Sequence, residues 1–208
     1  AQGLRGRTGA AAQAGRRRGC AEEIRPRAIE NDLVTHPSGL RALLSSARAT
    51  EAQLAFTPEA AVAVVRSLRS MGRPSVFDLG SGLSPLSQRL LREMDQIVLV
   101  VDPLVVTLTM ARDIIQEIMT WRNDPNRLHV VVVSRATSST PPSWSDVEQY
   151  LGYELRGIIS LASDLMIQAM QANVPTVMFQ PNAVVSTQLI KLAEDLHNRV
   201  RLPVGEQS

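Results

Sequence analysis

The sequence has few of the residues from which several common kinds of site are built. Its single cysteine, Cys20, excludes an internal disulfide and a multi-thiolate metal site. The three histidines are far apart along the chain, which indicates structural or solvated roles: His36, His129 and His197. Aromatic residues make up only 3% of the chain, so little is available for stacking on nucleic-acid bases.

Long apolar runs are also missing. None approaches the roughly 20 residues that a membrane-spanning helix needs, and the N-terminal end lacks the apolar segment of a signal peptide. The C-terminal stretch "RVRLPVGEQS" contains Pro203 and few apolar residues, which argues against an autonomous lipid anchor. These features predict a cytoplasmic protein that associates with a membrane only through partners.

Positive charge is concentrated at one end, although the formal net charge is only +2. Seven arginines precede Ala28, against Glu22 and Glu23, in a segment rich in Gly and Ala and without hydrophobic periodicity. We therefore expect residues 1–30 to be a disordered basic arm or a leader, and residues 31–208 to form one domain. Such an arm could bind nucleic acid or anionic lipid, but a solvated tail is the simpler interpretation, and we do not expect a nucleic-acid partner.

After Leu33, short β-rich runs alternate with helical patterns, which indicates an α/β fold with a mostly parallel sheet flanked by helices. Strands are predicted at "SVFD" (75–78), "QIVLVVDP" (96–103), "RLHVVVVSRA" (127–136), "LRGIISL" (155–161) and "PTVMF" (175–179), with a weak candidate at "SGLRALLSS" (38–46). The run at 96–103 is continuously apolar, which is typical of a strand buried on both faces.

Helices are predicted at about 58–71, 85–94, 108–121, 145–151, 163–172 and 186–200. Thr57 and Ser84 precede prolines that suit the first helical turn. Ser145 and Glu148 have the spacing of a capping box, so Ser145 is the predicted N-cap of its helix.

Six phrases of the chain occur in an order that is specific when they are taken together. They are "HPSGLRALLSS" (36–46), "FDLGSGLSP" (77–85), "MDQIVLVVDPLVVTLTMARDII" (94–115), "VVVVSRA" (130–136), "LGYELRGIIS" (151–160) and "QANVPTVMFQPNAVVSTQLIKLAEDL" (171–196). The chain in this respect resembles the MinD/ParA superfamily of deviant P-loop ATPases, most closely its CpaE/TadZ-like branch linked to pilus assembly. The resemblance implies ATP and Mg²⁺ as cofactors, a homodimer, and pilus or polar-localisation proteins as partners.

The resemblance also implies roles for individual residues. Asp78 corresponds to the Walker B acid that helps to hold Mg²⁺ through water, and the loop from Gly80 corresponds to the segment that senses the γ-phosphate. Mg²⁺ takes oxygen ligands and keeps several waters, so a carboxylate at a strand end suits it. Ser134 and Arg135 stand where relatives carry an Asn-Arg pair beside the adenine. Without the resemblance, an ordinary strand-to-helix turn is the alternative explanation of Asp78 and Gly80, because acids and glycines are common at such turns.

A P-loop needs a lysine in a glycine-rich turn. The only lysine of this chain is Lys191, which falls inside the last predicted helix. The fold is therefore expected to be P-loop NTPase-like but incomplete at its N-terminal side, with a sheet edge left unpaired. Either the chain is the C-terminal portion of a longer ATPase, or it is a degenerate relative retained as a non-catalytic interaction module. Whether the protein has enzymatic activity depends on which of these two alternatives is correct.

Overall fold

The structure is a computed structural model that describes residues 26–44, 57–72, 74–122, 124–134 and 142–201. The chain divides into two compact units, Ala1–Glu93 and Met94–Ser208. The predicted class is confirmed, because the second unit is built on a parallel sheet flanked by helices. The predicted arm lies outside the described residues except at 26–30, and those five residues form a helical turn. In the part of the chain that is described, no helix is both long and apolar enough to cross a bilayer.

The first unit contains short elements and two well-defined helices. They are α1 (Pro26–Glu30), β1 (Val34–Thr35), β2 (Arg41–Ala42), α2 (Pro58–Met71) and α3 (Pro85–Leu91). β1 and β2 form a small antiparallel pair, so within the described part of the weak strand candidate at 38–46, which ends at residue 44, two residues form a strand.

Both predicted N-caps of the first unit are confirmed. The Thr57 hydroxyl accepts a hydrogen bond of 3.2 Å from the backbone N–H of Ala60, and the Ser84 hydroxyl accepts one of 3.1 Å from that of Ser87. A proline follows each cap in the first turn of its helix. Its missing N–H costs nothing there, because the first turn has no intrahelical acceptor for that group.

Glu93, just after α3, links the two helices of the first unit. Its carboxylate accepts hydrogen bonds of 3.1 Å from Arg66 in α2 and 2.9 Å from Arg89 in α3. The hydrogen bond from Arg66 is the main reason that the pKa of Glu93 lies below its usual value. The pairing therefore joins α2 and α3 through charge-assisted hydrogen bonds to one carboxylate.

The predicted strand at 75–78 was wrong. Residues 74–80 belong to neither sheet, and Val76 is 95% exposed. A strand is stable only when a neighbour takes up its backbone N–H and C=O groups, and none of the described strands pairs with this segment. Apolar composition alone therefore did not make a strand here.

The second unit carries the main sheet. Its elements are β3 (Ile97–Val101), α4 (Val105–Arg122), β4 (Leu128–Val133), α5 (Trp144–Leu151), β5 (Leu155–Ile159), α6 (Ser163–Ala172), α7 (Thr176–Phe179) and α8 (Val184–Arg201), with a 3₁₀ turn at Pro125–Arg127. The strands are parallel in the order β3-β4-β5. The predicted strands at 127–136 and 155–161 and the helices now called α4, α6 and α8 are thereby confirmed in type.

The two faces of the sheet are covered by different helices. Val131, Ile159 and Val185 form a buried cluster against which side chains of α6 and α8 pack. Val130 and Val132 alternate with Val131 along β4 and point to the opposite face, where both are fully buried. α4 packs on the sheet at that face and α5 lies beside α4.

Burial of β3 on both faces was also a wrong prediction. Val98 and Val100 are 39% and 57% exposed, whereas Ile97 and Val101 are buried. β3 lies at the end of the described sheet, and α8 packs over β5, two strands away. The exposed side chains therefore lie on a part of the face that the described helices of the second unit leave uncovered.

The predicted strand at 175–179 was wrong as well, because Thr176–Phe179 is the short helix α7. Backbone N–H groups of Phe179 and Gln180 donate to the carbonyls of Pro175 and Thr176, at 2.9 and 3.0 Å. A run of only four apolar residues does not distinguish helix from strand, and the segment finds its contacts on the neighbouring helices α6 and α8.

The N-cap of α5 is Ser143 and not Ser145. The Ser143 hydroxyl accepts from the N–H of Asp146 at 3.1 Å, and Ser145 is already inside the helix. Glu148, the other predicted member of the capping box, accepts instead from the N–H of Leu155 at 2.9 Å and so fixes the start of β5. Gly152 ends the helix as predicted.

Candidate functional site

Asp78 and Gly80 lie together in a tight turn before α3. Oδ1 of Asp78 accepts a hydrogen bond of 2.9 Å from the backbone N–H of Gly80. Gly80 has a φ of 74°, a left-handed conformation that glycine adopts without strain, and a Cβ there would meet no atom within 4 Å. The turn is therefore of the kind in which an Asp side chain bonds to its own backbone two residues on.

The Asp78 carboxylate fits one part of a magnesium site. It is exposed, and its hydrogen bond to Gly80 involves one of its two oxygens. Mg²⁺ is commonly held by one or two carboxylates together with water and phosphate oxygens. Across the described ranges, however, no group of three or more His, Cys, Asp or Glu side chains could hold a metal ion. Asp78 suits an outer contact to a hydrated ion whose remaining ligands come from elsewhere.

The residues of this chain do not fit a triphosphate by themselves. A phosphate cradle uses successive backbone amides and a lysine ammonium. The only lysine, Lys191, lies on the exposed side of α8. A nucleotide bound by this chain alone would therefore lack its main counter-charge.

Of the predicted pair Ser134 and Arg135, the structure describes only Ser134. Ser134 follows β4 in the second unit and is half-buried. Arg135 lies outside the described residues. The structure thus brings Asp78 and Gly80 together in the first unit and places Ser134 at a strand end of the second.

His129 and Gln96 form a buried polar contact that the sequence patterns did not reveal. Nε2 of His129 lies 2.6 Å from Oε1 of Gln96, and the imidazole is only 4% exposed. Burial, together with the smaller effect of the nearby guanidinium groups of Arg199 and Arg156, lowers the pKa of His129 to about 4. The imidazole is therefore neutral at pH 7, which supports the predicted structural role.

An ion pair ties β5 to α8. The Arg156 guanidinium donates through Nε and Nη2 to both carboxylate oxygens of Asp195, and Nε of Arg199 lies 3.7 Å from Oδ2 of the same carboxylate. The hydrogen bond from Arg156 is the main reason that the pKa of Asp195 is lowered. Arg156 and Asp195 are 39 residues apart, so no local sequence signal could have paired them.

An open groove of about 510 Å³ lies between α4 and α5. The Arg112 guanidinium sits 5.2 Å from the centroid of the Tyr150 ring, and the Tyr150 hydroxyl is 2.7 Å from that of Thr109. The lining contains no carboxylate, histidine or thiol. Of the side chains used in acid–base or nucleophilic catalysis, the lining contains only Tyr150 and Tyr153.

No protein-family model and no curated protein matches the chain. Solved structures do match it. A ParA family ATPase from Chlorobium tepidum TLS has a TM-score of 0.71 at 14% identity, over 92% of this chain and 74% of that one. MinD from Pyrococcus horikoshii OT3, a septum site-determining protein complexed with Mg-ADP, has a TM-score of 0.69 at 14% identity, over 93% and 79%. MinD from Aquifex aeolicus has a TM-score of 0.60 at 19% identity, over 81% and 70%.

The likeness defines the class of fold. The chain is an α/β protein of the P-loop NTPase-like kind. More particularly, its fold is that of the MinD and ParA ATPases, as the sequence phrases predicted. Identities of 14–19% establish the fold alone.

Proposed function

We propose that the chain is the C-terminal portion of a MinD/ParA-like ATPase of the CpaE/TadZ-like branch. Its function is the ATP-dependent positioning or assembly of pilus or other polar machinery. The observation that carries the proposal is the fold likeness to a ParA family ATPase over 92% of the chain. The order of the six sequence phrases supports the choice of branch.

In this proposal the metal side of the nucleotide site belongs to the chain. The P. horikoshii MinD structure is a complex with Mg-ADP. Asp78 would contact the hydrated Mg²⁺, with its carboxylate oriented by the N–H of Gly80. Ser134 and Arg135 would lie beside the base. Serine offers one hydroxyl where an amide offers both a donor and an acceptor, so we expect weak selection among bases.

The phosphate side has to come from another segment of polypeptide. A glycine-rich loop with a lysine would supply the amides and the positive charge that this sequence lacks. The completed protein would act as a homodimer in the cytoplasm, and it would reach a membrane only through partner proteins. Pilus or polar-localisation proteins are the partners that the branch implies.

A non-catalytic interaction module of the same fold is the second candidate. The exposed position of the only lysine, Lys191, in α8 favours it, because that ammonium has no role in a loop around phosphate. In this case the protein would localise its partners without nucleotide turnover. The Asp78 carboxylate would then serve only to stabilise its turn through the hydrogen bond from the N–H of Gly80.

Calorimetric titration with Mg-ATP distinguishes the two candidates. The whole chain alone should bind more weakly than about millimolar, because most of the phosphate contacts are absent. Adding a polypeptide with a strand, a glycine-rich loop containing one lysine, and a helix should give micromolar binding. The Asp78→Asn variant should then bind at least about tenfold more weakly, a loss of about 1.4 kcal/mol.

The matched control is Asp113→Asn, which removes an exposed carboxylate from the middle of α4. It should bind Mg-ATP as the unmodified chain does. Micromolar binding by the chain alone would contradict the need for an added phosphate loop. No binding after the addition would favour the non-catalytic module.

A further inference from the structure

Two arginines of the first unit share one carboxylate. Nη2 of Arg66 in α2 donates to Oε1 of Glu93 at 3.1 Å, and Nη1 of Arg89 in α3 donates to the same oxygen at 2.9 Å. Nε of Arg66 also donates to the other oxygen, Oε2, at 3.1 Å. Two positive charges therefore meet a single negative charge, and the group keeps a net positive charge.

The positive groups lie outside the negative one. The side chains of Arg66 and Arg89 are 65% and 44% exposed, whereas that of Glu93 is 15% exposed. A molecule that approaches this surface therefore meets the guanidinium groups before the carboxylate. We call the two guanidinium groups that are bonded to Glu93 the Arg66/Arg89 pair.

Glu93 holds the pair in position without using all of its donors. A guanidinium group carries five N–H donors. Arg66 turns Nε and Nη2 toward the carboxylate, and Arg89 turns Nη1 toward it, so Nη1 of Arg66 and Nη2 of Arg89 have no bond to Glu93. Because both side chains are already ordered, a further anion can bind to these donors at a lower cost in side-chain entropy.

The rest of the two helices adds to the positive charge. α2, α3 and the two residues after α3 contain four arginines and two glutamates: Arg66, Arg69, Arg89, Arg92, Glu59 and Glu93. Glu59 lies in the first turn of α2, about two helical turns before Arg66. The excess of positive charge is therefore concentrated around the Arg66/Arg89 pair.

We propose that the Arg66/Arg89 pair binds an acidic segment of a partner protein, whose carboxylates accept hydrogen bonds from the donors that Glu93 leaves. A guanidinium group matches a carboxylate because its planar N–H groups can bond to two oxygens at once. Arg66 already bonds in this way to both oxygens of Glu93. Clusters of arginine are a recurring means of recognising acidic motifs. The proposal concerns a surface of the first unit and does not depend on the nucleotide chemistry described above.

Anionic lipid and nucleic acid fit this surface less well. No large apolar residue of α2 or α3 is exposed, whereas helices that bind lipid surfaces insert apolar side chains beside their cations. α2 and α3 also contain no aromatic residue that could stack on a nucleic-acid base. The pair meets on one oxygen and is therefore compact, whereas a duplex backbone is bound by cations spread along its phosphates. Neighbouring carboxylates of an acidic segment match such a compact site.

Fluorescence anisotropy on the whole chain at low ionic strength tests the pair, with a labelled oligoglutamate peptide as the probe. The double variant Arg66→Gln/Arg89→Gln should bind the probe at least about tenfold more weakly than the unmodified chain. The matched control is Arg41→Gln/Arg127→Gln, which removes two arginines that each pair with a carboxylate of their own. It loses the same net charge and should bind within about twofold of the unmodified chain. The arginines before Ala28 are present in both variants, so their attraction for the probe cancels in the comparison.

Glu93→Gln tests the carboxylate below the pair. The substitution removes the negative charge that competes with the probe, so oligoglutamate should bind at least about threefold more tightly. Glu30→Gln, which removes the carboxylate that pairs with Arg41, is the matched control and should leave the affinity unchanged. Thermal unfolding of every variant establishes that it is folded. A gain of affinity in Glu93→Gln tests the proposal even where Arg66→Gln/Arg89→Gln does not fold.

The opposite results would refute the proposal. Equal losses in Arg66→Gln/Arg89→Gln and its control would mean that the probe responds to net charge alone. An oligoglutamine peptide that binds as tightly as oligoglutamate would mean that carboxylates are not recognised, and an unchanged affinity in Glu93→Gln would mean that the probe binds elsewhere. Tighter binding of duplex DNA, or of vesicles that contain phosphatidylserine, with the same dependence on Arg66 and Arg89 would identify nucleic acid or anionic lipid as the partner. No nucleotide is present in these measurements, so they do not depend on whether the proposed ATPase function is correct.

Discussion

Nε2 of His129 donates a hydrogen bond of 2.6 Å to Oε1 of Gln96, where β4 and β3 begin side by side. The imidazole is buried, and the guanidinium groups of Arg156 and Arg199 lie near it. Both conditions oppose a positive charge on the ring, so the folded chain holds this histidine neutral. The contact therefore makes the stability of the second unit depend on pH.

We expect stability to fall between about pH 6.5 and pH 4. The unfolded chain protonates His129 below its ordinary pKa of 6.5, whereas the folded chain does so only at about 4. The unfolded state binds more protons in this window, and the full stability is present above it. The difference amounts to at most about 3 kcal/mol. Urea denaturation at several pH values measures it.

The variant His129→Gln should lose less stability on acidification than the unmodified chain. The matched control is His197→Gln, which replaces an exposed histidine of α8 and should keep the original pH dependence. If His129→Gln and the unmodified chain lost equal free energy from pH 6.5 to 4, the buried imidazole would not be the titrating group.

Val131 and Val100 should respond very differently to truncation, although they face each other in register. Val131→Ala opens a cavity in the cluster with Ile159 and Val185 and should lower the free energy of unfolding by about 2 kcal/mol. Val100→Ala removes a side chain that is 57% exposed and should change it by less than about 0.5 kcal/mol. Chemical denaturation of both variants checks this, and similar losses would mean that the Val100 side chain is covered in the isolated chain.

Ser143 and Ser145 provide a test of helix capping. Ser143→Ala removes the hydroxyl that accepts from the N–H of Asp146 and should lower stability by about 1 kcal/mol. Ser145→Ala replaces an exposed residue inside α5 and should have little effect, since alanine is the better helix former. Thermal unfolding of the two variants measures the contrast. The reverse order of stabilities would restore Ser145 as the N-cap.

Asp195→Asn should weaken the attachment of α8 to β5. The substitution removes the carboxylate that binds Arg156 through two hydrogen bonds, and we expect a loss of about 1–2 kcal/mol at neutral pH. The pKa of Asp195 is lowered in the folded chain, so the ion pair contributes above its ordinary value of 3.8 and is lost as the pH falls further.

The difference between Asp195→Asn and the unmodified chain should therefore shrink below pH 3.8. Asp113→Asn, at an exposed carboxylate of α4, is the control and should match the unmodified chain at every pH. A difference that stays constant down to strongly acid pH would show that the charge of Asp195 does not stabilise the fold.

Local signals predicted those elements whose stability depends mainly on nearby residues. The caps at Thr57 and Ser84 and the ends of α5 at Leu151 and of α6 at Ala172 are all where the sequence indicated. Each depends on a hydrogen bond or a backbone angle within about one turn of helix. The turn at Asp78 is of the same kind, because its hydrogen bond spans two residues.

Predictions failed where a distant partner was needed. "SVFD" and "PTVMF" are both short apolar runs, yet one has no strand partner in either sheet and the other is helical. The exposed face of β3 could not be foreseen from its sequence, since Val98 and Val131 belong to equally apolar runs. Burial depends on which helix packs above a strand, and that is a property of the assembled fold.

The sequence by itself determined the alternation of strands and helices from β3 to α6, the caps at Thr57 and Ser84, the resemblance to MinD and ParA ATPases and the lack of a lysine for a phosphate loop. These follow from residue type and short-range spacing, which the chain carries before it folds. Only the tertiary structure decided that α8 covers β5 and leaves β3 open, that Arg156 meets Asp195, and that His129 is buried and neutral. Such contacts join residues far apart in the chain, so their energies exist only once the sheet and its helices have come together.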